Sequence, residues 1–388
     1  GDSSPPQDLF DCVIDFESGK PRLREARRYF SELHQEDLPL LIEVFKLWRD
    51  YPEYLIIKGE NLVTGEKKGL AVLCSKRGNE IYGSRFDKRL EFLKYGDYEF
   101  FQPSDLTVNK TVHSSLLWVT LTFDSKLASL DEAWRGRESR VFRPGVEGGI
   151  QVFQGGVLGR LESRHKKNCP CLMCSFNAWI TNLRNKYGKI SYVAFPQAFP
   201  DPEGKAFGYP HMHLIMLFED ASFEVFPSLE EQEDGSFSMR YRIKEKYELE
   251  RQGKYHSFID VQAFRTSRGI YNYARKYAQN VAYGESYEAN LNNALLWLFK
   301  KKGFNVSETF RENYFESIQD LRNSKGFQAT LEGKTAVFSE TTRWFSSWKW
   351  SLVGINSFSE LQKVKKDLDP GGYLPWFVSL SIDEVASL

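Results

Sequence analysis

Residues 209–218 read Tyr209-Pro210-His211-Met212-His213-Leu214-Ile215-Met216-Leu217-Phe218. Side chains alternate across a strand, so His211 and His213 share one face while Met212 and Leu214 occupy the other. The apolar run that follows reads as a strand buried in a sheet. Outward from it, residues 116–123 (LLWVTLTF) are β-branched and aromatic, and residues 190–195, 240–246 and 257–264 carry similar strand signals. Helical patterns cover residues 176–186, closed by Gly188 as a C-cap, and residues 269–283. The order strand, helix, strands, helix predicts an α+β fold, an antiparallel sheet flanked by helices.

The chain of 388 residues divides on this pattern into three parts. Residues 1–105 read as an N-terminal accessory α/β region, with a helical stretch over 22–51 and strands over 54–58 and 70–74. Residues 106–285 hold the sheet and the chemistry. Within them, residues 144–159 read as a Gly-rich loop, 196–209 as a turn-rich insert and 219–234 as an acidic excursion. Residues 286–388 read as helix-rich, with Trp344 and Trp348 spaced i,i+4 as on a packed helix face and Trp350 close by.

Two imidazoles at i and i+2 on a strand can hold one divalent metal. The second chemical signal is Tyr273-Ala274-Arg275-Lys276-Tyr277, which on a helix puts two phenols one turn apart with an ammonium beside them. A phenol is a poor nucleophile near pH 7, since its pKa is about 10. A metal and an ammonium nearby would favour the phenolate and stabilise charge on a phosphate under attack.

Taken together, these stretches resemble the HUH endonuclease superfamily, in particular its two-tyrosine rolling-circle replication initiators of plasmids and small DNA viruses. Residues 118–123 (WVTLTF) look like the first motif, residues 208–213 (GYPHMH) like the metal motif, and residues 273–277 (YARKY) like the nucleophile motif. The resemblance covers residues 115–283. It implies an RRM-like nuclease core that nicks and joins single-stranded DNA. His211 and His213 would bind Mn²⁺ or Mg²⁺, Tyr273 would form a 5′-phosphotyrosyl link, Tyr277 would act as second nucleophile, and Lys276 would orient the phosphate. Many relatives add a third ligand, often Glu, from the preceding strand; here Gln197 is the nearest counterpart, with Glu203 next and Asp260 or Gln262 more remote. Arg265, Arg268 and Arg275 are candidate phosphate contacts. A relaxase or transposase of the same superfamily is a near alternative.

Three of the five cysteines lie within six residues, and His165 precedes them: His165, Cys169, Cys171 and Cys174 offer the four donors of a structural zinc site. A non-catalytic, zinc-stabilised nucleic-acid-binding protein is therefore the reading from a different class. A barrel metallohydrolase is disfavoured, because only His256 follows His213 to serve as a further imidazole ligand. No run of 18 apolar residues suits a membrane span. Neither a secretory signal nor a disulfide framework is apparent, so a reducing, cytoplasmic setting is expected. The sequence contains no GxxxxGK[ST] loop, so unwinding of origin DNA would need a host helicase, and synthesis a host polymerase.

Equal numbers of basic and acidic residues, 52 each, argue at first sight against nucleic acid. The balance is a sum of opposed patches. Residues 160–189 carry seven basic residues and one acid, and residues 251–280 carry six and one. Residues 219–236 carry seven acids and no base, and the first seventeen residues five acids and no base. Only local charge need meet phosphate.

Overall fold

The strand that carries the two histidines (Pro210–Phe218, here the histidine strand) is the middle of a five-stranded antiparallel sheet. All nine of its residues are buried, as its continuous apolar pattern requires. On one side it pairs with Leu116–Phe123 (the threonine strand) and on the other with Ile190–Ala198 (the glutamine strand). His256–Ala263 and the short Asn305–Val306 form the two edges. The computed structural model describes residues 22–94, 99–106, 111–136, 138–144, 151–154, 157–165, 169–231, 235–252, 256–283, 285–314, 348–365, 368 and 374–388. The class is α+β, with antiparallel sheets and helices packed against them.

Each face of the central sheet is closed by a separate hydrophobic layer. Met212, Leu214 and Met216 pack with Leu117, Val119 and Leu121 against Phe176, Trp179 and Leu183 of the helix Leu172–Tyr187. That helix stops at Gly188, whose φ of +80° suits glycine and whose N–H bonds Arg184 O at 3.0 Å. On the opposite face, Ile215, Leu217, Val193 and Phe195 meet Ile270, Tyr273 and Tyr277 of the helix Ser267–Ala282 (the tyrosine helix). The helices Leu38–Asp50 and Tyr287–Leu298 join this layer, the second of them buried from Ala289 to Leu298. Full burial of such a side chain contributes about 1.5–3 kcal/mol. Thr266 caps the tyrosine helix by accepting from Gly269 N–H at 3.0 Å, which fixes where the phenols emerge.

The structure departs from the sequence reading in several places. The helical stretch over 22–51 is two helices, Leu23–Tyr29 and Leu38–Asp50, broken at residues 30–37. The expected Gly-rich loop contains strands: Glu138–Pro144, Gln151–Gln154 and Val157–His165 form a three-stranded sheet. The acidic excursion contains a strand, Phe223–Glu231, in a hairpin with Phe237–Ile243, where Glu230 pairs with Arg240 and Arg242.

The C-terminal region is not simply helix-rich. Trp348–Ser357 and Phe377–Leu380 are strands that flank Glu53–Asn61 and Lys67–Leu73 in a four-stranded sheet. Trp348 and Trp350 therefore sit on a strand, with rings stacked at 5.5 Å, and the expected helix face is not formed there. Trp344 lies outside the described residues. The physical reason is register: Trp348 and Trp350 pair with Asn61 and Gly59, a long-range contact that local spacing does not encode. Sheet membership thus cuts across the three-way division at residues 105 and 285.

Candidate active site

The histidine strand starts where Gly208 turns the chain. Its φ is +76°, and a Cβ there would lie 2.4 Å from Leu38 Cδ1, so only glycine fits. Trp134 Nε1 donates to Gly208 O at 2.8 Å and locks the turn. Two residues later the strand begins, and His211 and His213 emerge on the same face with ring centroids 4.7 Å apart. Across the sheet, Thr122 and Gln197 stand opposite His211, and Thr120 and Phe195 opposite His213.

The tyrosine helix lays both phenols over these imidazoles. Tyr277 stacks on His213 at 3.7 Å, and Tyr273 Oη lies 3.2 Å from His213 Nδ1. The two phenol rings are 4.6 Å apart. Thr120 Oγ1 is 3.1 Å from the same Nδ1 and accepts from Trp118 Nε1 at 3.1 Å. The Trp118 ring packs on Tyr273 at 4.3 Å. Lys276 is exposed, with Nζ 5.5 Å from the Tyr277 ring centroid.

Burial sets the protonation states. It lowers the His211 pKa to about 4, and it lowers that of His213 well below the ordinary value, with help from His211 and the Lys276 charge. Both imidazoles are neutral at pH 7, the form that binds metal. Burial also raises Tyr273 well above its ordinary value, reinforced by Tyr277, and raises Tyr277. As it stands the site holds phenols; making a phenolate would need added positive charge.

The donor set fits a divalent cation. Among the described residues His211 Nδ1, which is buried, has no hydrogen-bond partner, although such atoms are seldom left alone. Gln197 is buried beside it, its amide Nε2 donating weakly to Tyr277 O at 3.5 Å. His213 uses Nδ1 toward Thr120 and Tyr273, as metal-bound histidines use their second nitrogen. Of the other ligand candidates, Glu203 is exposed on the 199–209 turn, and Asp260 is engaged by Arg242 and by Gln262 Nε2 at 2.9 Å. Neither approaches as Gln197 does by register.

The arginines divide. Arg268 and Arg275 are exposed on the tyrosine helix, whereas Arg265 pairs with Glu99 at 3.6 Å. Sequence reading missed Thr120 and Trp118, and the pair Arg240 and Arg242. Arg240 lies over the Trp118 ring at 5.8 Å, and Arg242 holds Asp260. The first two were legible as the outward set of the alternation Trp118, Thr120, Thr122. The arginines were not, because a hairpin brings them in.

A second cluster lies at the start of the helix Leu172–Tyr187. Cys169, Cys171 and Cys174 hold their sulfurs within 4.8 Å of one another, close enough for one metal ion such as zinc. Burial raises the Cys171 and Cys174 thiols; Cys171 and Cys169 add to the shift of Cys174, whereas hydrogen bonds from Cys174 partly offset that of Cys171. A bound cation would reverse that. His165 ends a strand, and its side chain lies outside the described residues. Among the described residues no helix is long and apolar enough to cross a membrane. No family model, curated protein or solved structure matched the chain.

Proposed function

We propose that the chain is a metal-dependent enzyme that nicks and rejoins single-stranded DNA through a 5′-phosphotyrosine, in the manner of a rolling-circle initiator. The observation that carries this is the packing of Tyr273 and Tyr277 directly on the His211–His213 pair, with Tyr273 Oη 3.2 Å from His213 Nδ1. His211, His213 and Gln197 would hold Mn²⁺ or Mg²⁺, which supplies Lewis-acid polarisation of the scissile phosphate when bound.

The chain's own groups do the rest. Tyr273 Oη attacks phosphorus as it gives up its proton, the P–O3′ bond breaks, and the departing 3′ oxygen takes a proton to become a hydroxyl. Thr120 and Trp118 hold His213 and the Tyr273 ring in place. Lys276 meets the phosphate charge, and Arg268 and Arg275 meet the flanking backbone. Tyr277 repeats the attack on a second strand, and the free 3′-hydroxyl reverses the first link to join ends. Origin DNA, a host helicase and a host polymerase are the partners this chemistry requires. The cysteine cluster, with His165 as fourth donor, serves as a structural zinc knot.

The test uses 3′-labelled single-stranded oligonucleotides of randomised sequence with Mn²⁺. A denaturant-resistant protein–DNA adduct is expected, lost in the double variant Tyr273→Phe/Tyr277→Phe and in His211→Ala with the fold retained. An adduct that persists in the double variant rules the mechanism out. The burial of both phenols favours one competing reading, a zinc-stabilised nucleic-acid-binding protein without catalysis, which predicts binding and no adduct. A relaxase or transposase would form the same adduct and differ only in the DNA it selects.

A further inference from the structure

A cleft of about 800 Å³ opens between the helices Leu38–Asp50, Glu80–Leu90 and Tyr287–Leu298 and the edge strand Asn305–Val306. None of its lining residues belongs to the histidine–tyrosine site. Arg77, Arg89, Lys300, Lys301, Lys302 and Arg311 line it, and no carboxylate does among the described residues. In a chain with zero formal net charge, six cations around one cavity is a strong local field. Among the described residues, Arg89, Lys300, Lys301 and Lys302 make no ion pair.

The lysine run is built rather than loose. The helix Tyr287–Leu298 ends in a paired cap, with Lys300 N–H bonding Trp297 O at 3.2 Å and Lys301 N–H bonding Leu296 O at 2.9 Å. Arg77 Nη2 donates to Lys301 O at 2.6 Å and fixes the turn from the other wall. Lys300 has a φ of +50°, the position in this cap where glycine is favoured. Keeping a lysine there costs stability and places a cation at the cleft mouth, and retained strain of this kind gathers at ligand sites.

Between the cations the walls are aromatic. Trp48 and Tyr82 are half-buried, and Trp48 packs on Trp297 at 5.4 Å. The Trp297 Nε1 proton is buried and has no hydrogen-bond partner among the described residues. Rings interleaved with cations suit a π-face joined to a phosphate. The volume falls in the range of small-ligand sites.

We propose that this cleft binds a nucleotide, free or as part of a single strand, with phosphate on the Lys300–Lys302 run and the base against the Trp48 and Tyr82 rings. The site stands apart from the nicking chemistry and does not rest on it.

Equilibrium binding to the full chain in EDTA tests it, with fluorescein-labelled (dT)12 and ATP as probes and tryptophan fluorescence as a second signal. Both lysine replacements in Lys300→Ala/Lys302→Ala are at exposed positions, and this variant is expected to weaken binding at least tenfold. Lys300→Gly is expected to weaken binding while raising the melting temperature, which separates loss of a contact from loss of the fold. For the strand, the salt dependence of log K should fall by about 0.7 per phosphate contact removed.

ATP displacing (dT)12 at comparable concentration identifies a free nucleotide as the ligand. Displacement only at a hundredfold excess identifies the strand. Unchanged affinity in both lysine variants, equal displacement by inorganic phosphate, or binding of neither probe overturns the proposal. Failure to form a covalent adduct would leave this assay unaffected, because it reads binding without metal.

Discussion

At the scale of single residues, His213 is the joint of the site. Its Nδ1 meets Thr120 and Tyr273, its ring carries Tyr277, and its neighbour His211 has a buried nitrogen with no partner among the described residues. Thr120→Val should cost about 1–2 kcal/mol, because Trp118 Nε1 then loses its acceptor. Denaturant melts measure that cost, and the rate of adduct formation should fall with it while the metal requirement stays. A variant equal to wild type in both would show that Thr120 positions nothing. Both histidines were readable from spacing alone, since alternation along a strand is a local property. The outward face of Thr120 follows from the same alternation, but its partner does not, because that depends on standing across the sheet from His213.

At the scale of elements, the helix Leu172–Tyr187 begins beside the close sulfurs of Cys169, Cys171 and Cys174, so a metal held there would brace its first turn. Chelating zinc, or Cys171→Ser, should release the metal and lower the melting temperature by roughly 2–4 °C for each kcal/mol lost. Elemental analysis should find one zinc per wild-type chain from this cluster. The cap of the helix Tyr287–Leu298 makes the opposite prediction: Lys300→Gly should stabilise by about 1 kcal/mol through relief of the left-handed lysine. In the strand Glu53–Asn61, Tyr54 is buried, donates to Pro375 O at 3.0 Å, and is pushed up to about 12 by burial. A phenol with a raised folded pKa binds its proton more tightly when folded. Its contribution is complete below pH 10 and is lost as pH rises from 10 toward 12. The loss is roughly 2–3 kcal/mol at most, and Tyr54→Phe should flatten that alkaline limb of a pH–stability curve. Most of these elements were legible in the sequence, because period-2 and period-3.6 patterns and caps such as Gly188 are local. The strands within residues 144–159 and 219–234 were not, since glycine and acidic residues mask their alternation and pairing supplies what propensity does not.

At the scale of the whole molecule, the four-stranded sheet takes its inner strands from residues 53–73 and its outer strands from residues 348–380. A chain ending at residue 347 would expose both edges of the inner pair and uncover Tyr54, Ile56 and Ala71. It should aggregate or be cleaved within residues 53–73 by limited proteolysis; resistance equal to the full chain would show that the sheet closes without its outer strands. The same scale resolves the charge balance: 52 basic and 52 acidic residues cancel in sum, yet folding gathers six cations from three separate stretches, around residues 77–89, 300–302 and 311, into one cleft. The sequence by itself determined the α+β class, the central strands, the shared face of His211 and His213, the pairing of Tyr273 with Tyr277 and the close cysteines, because each is set by spacing within one element or turn. Folding selects which partner each meets: phenols against imidazoles, Gln197 and Thr120 flanking the pair by register, tryptophans on a strand rather than a helix, and cations around a cleft. Those outcomes depend on contacts between residues far apart in the chain, which burial and strand pairing select and local pattern cannot express.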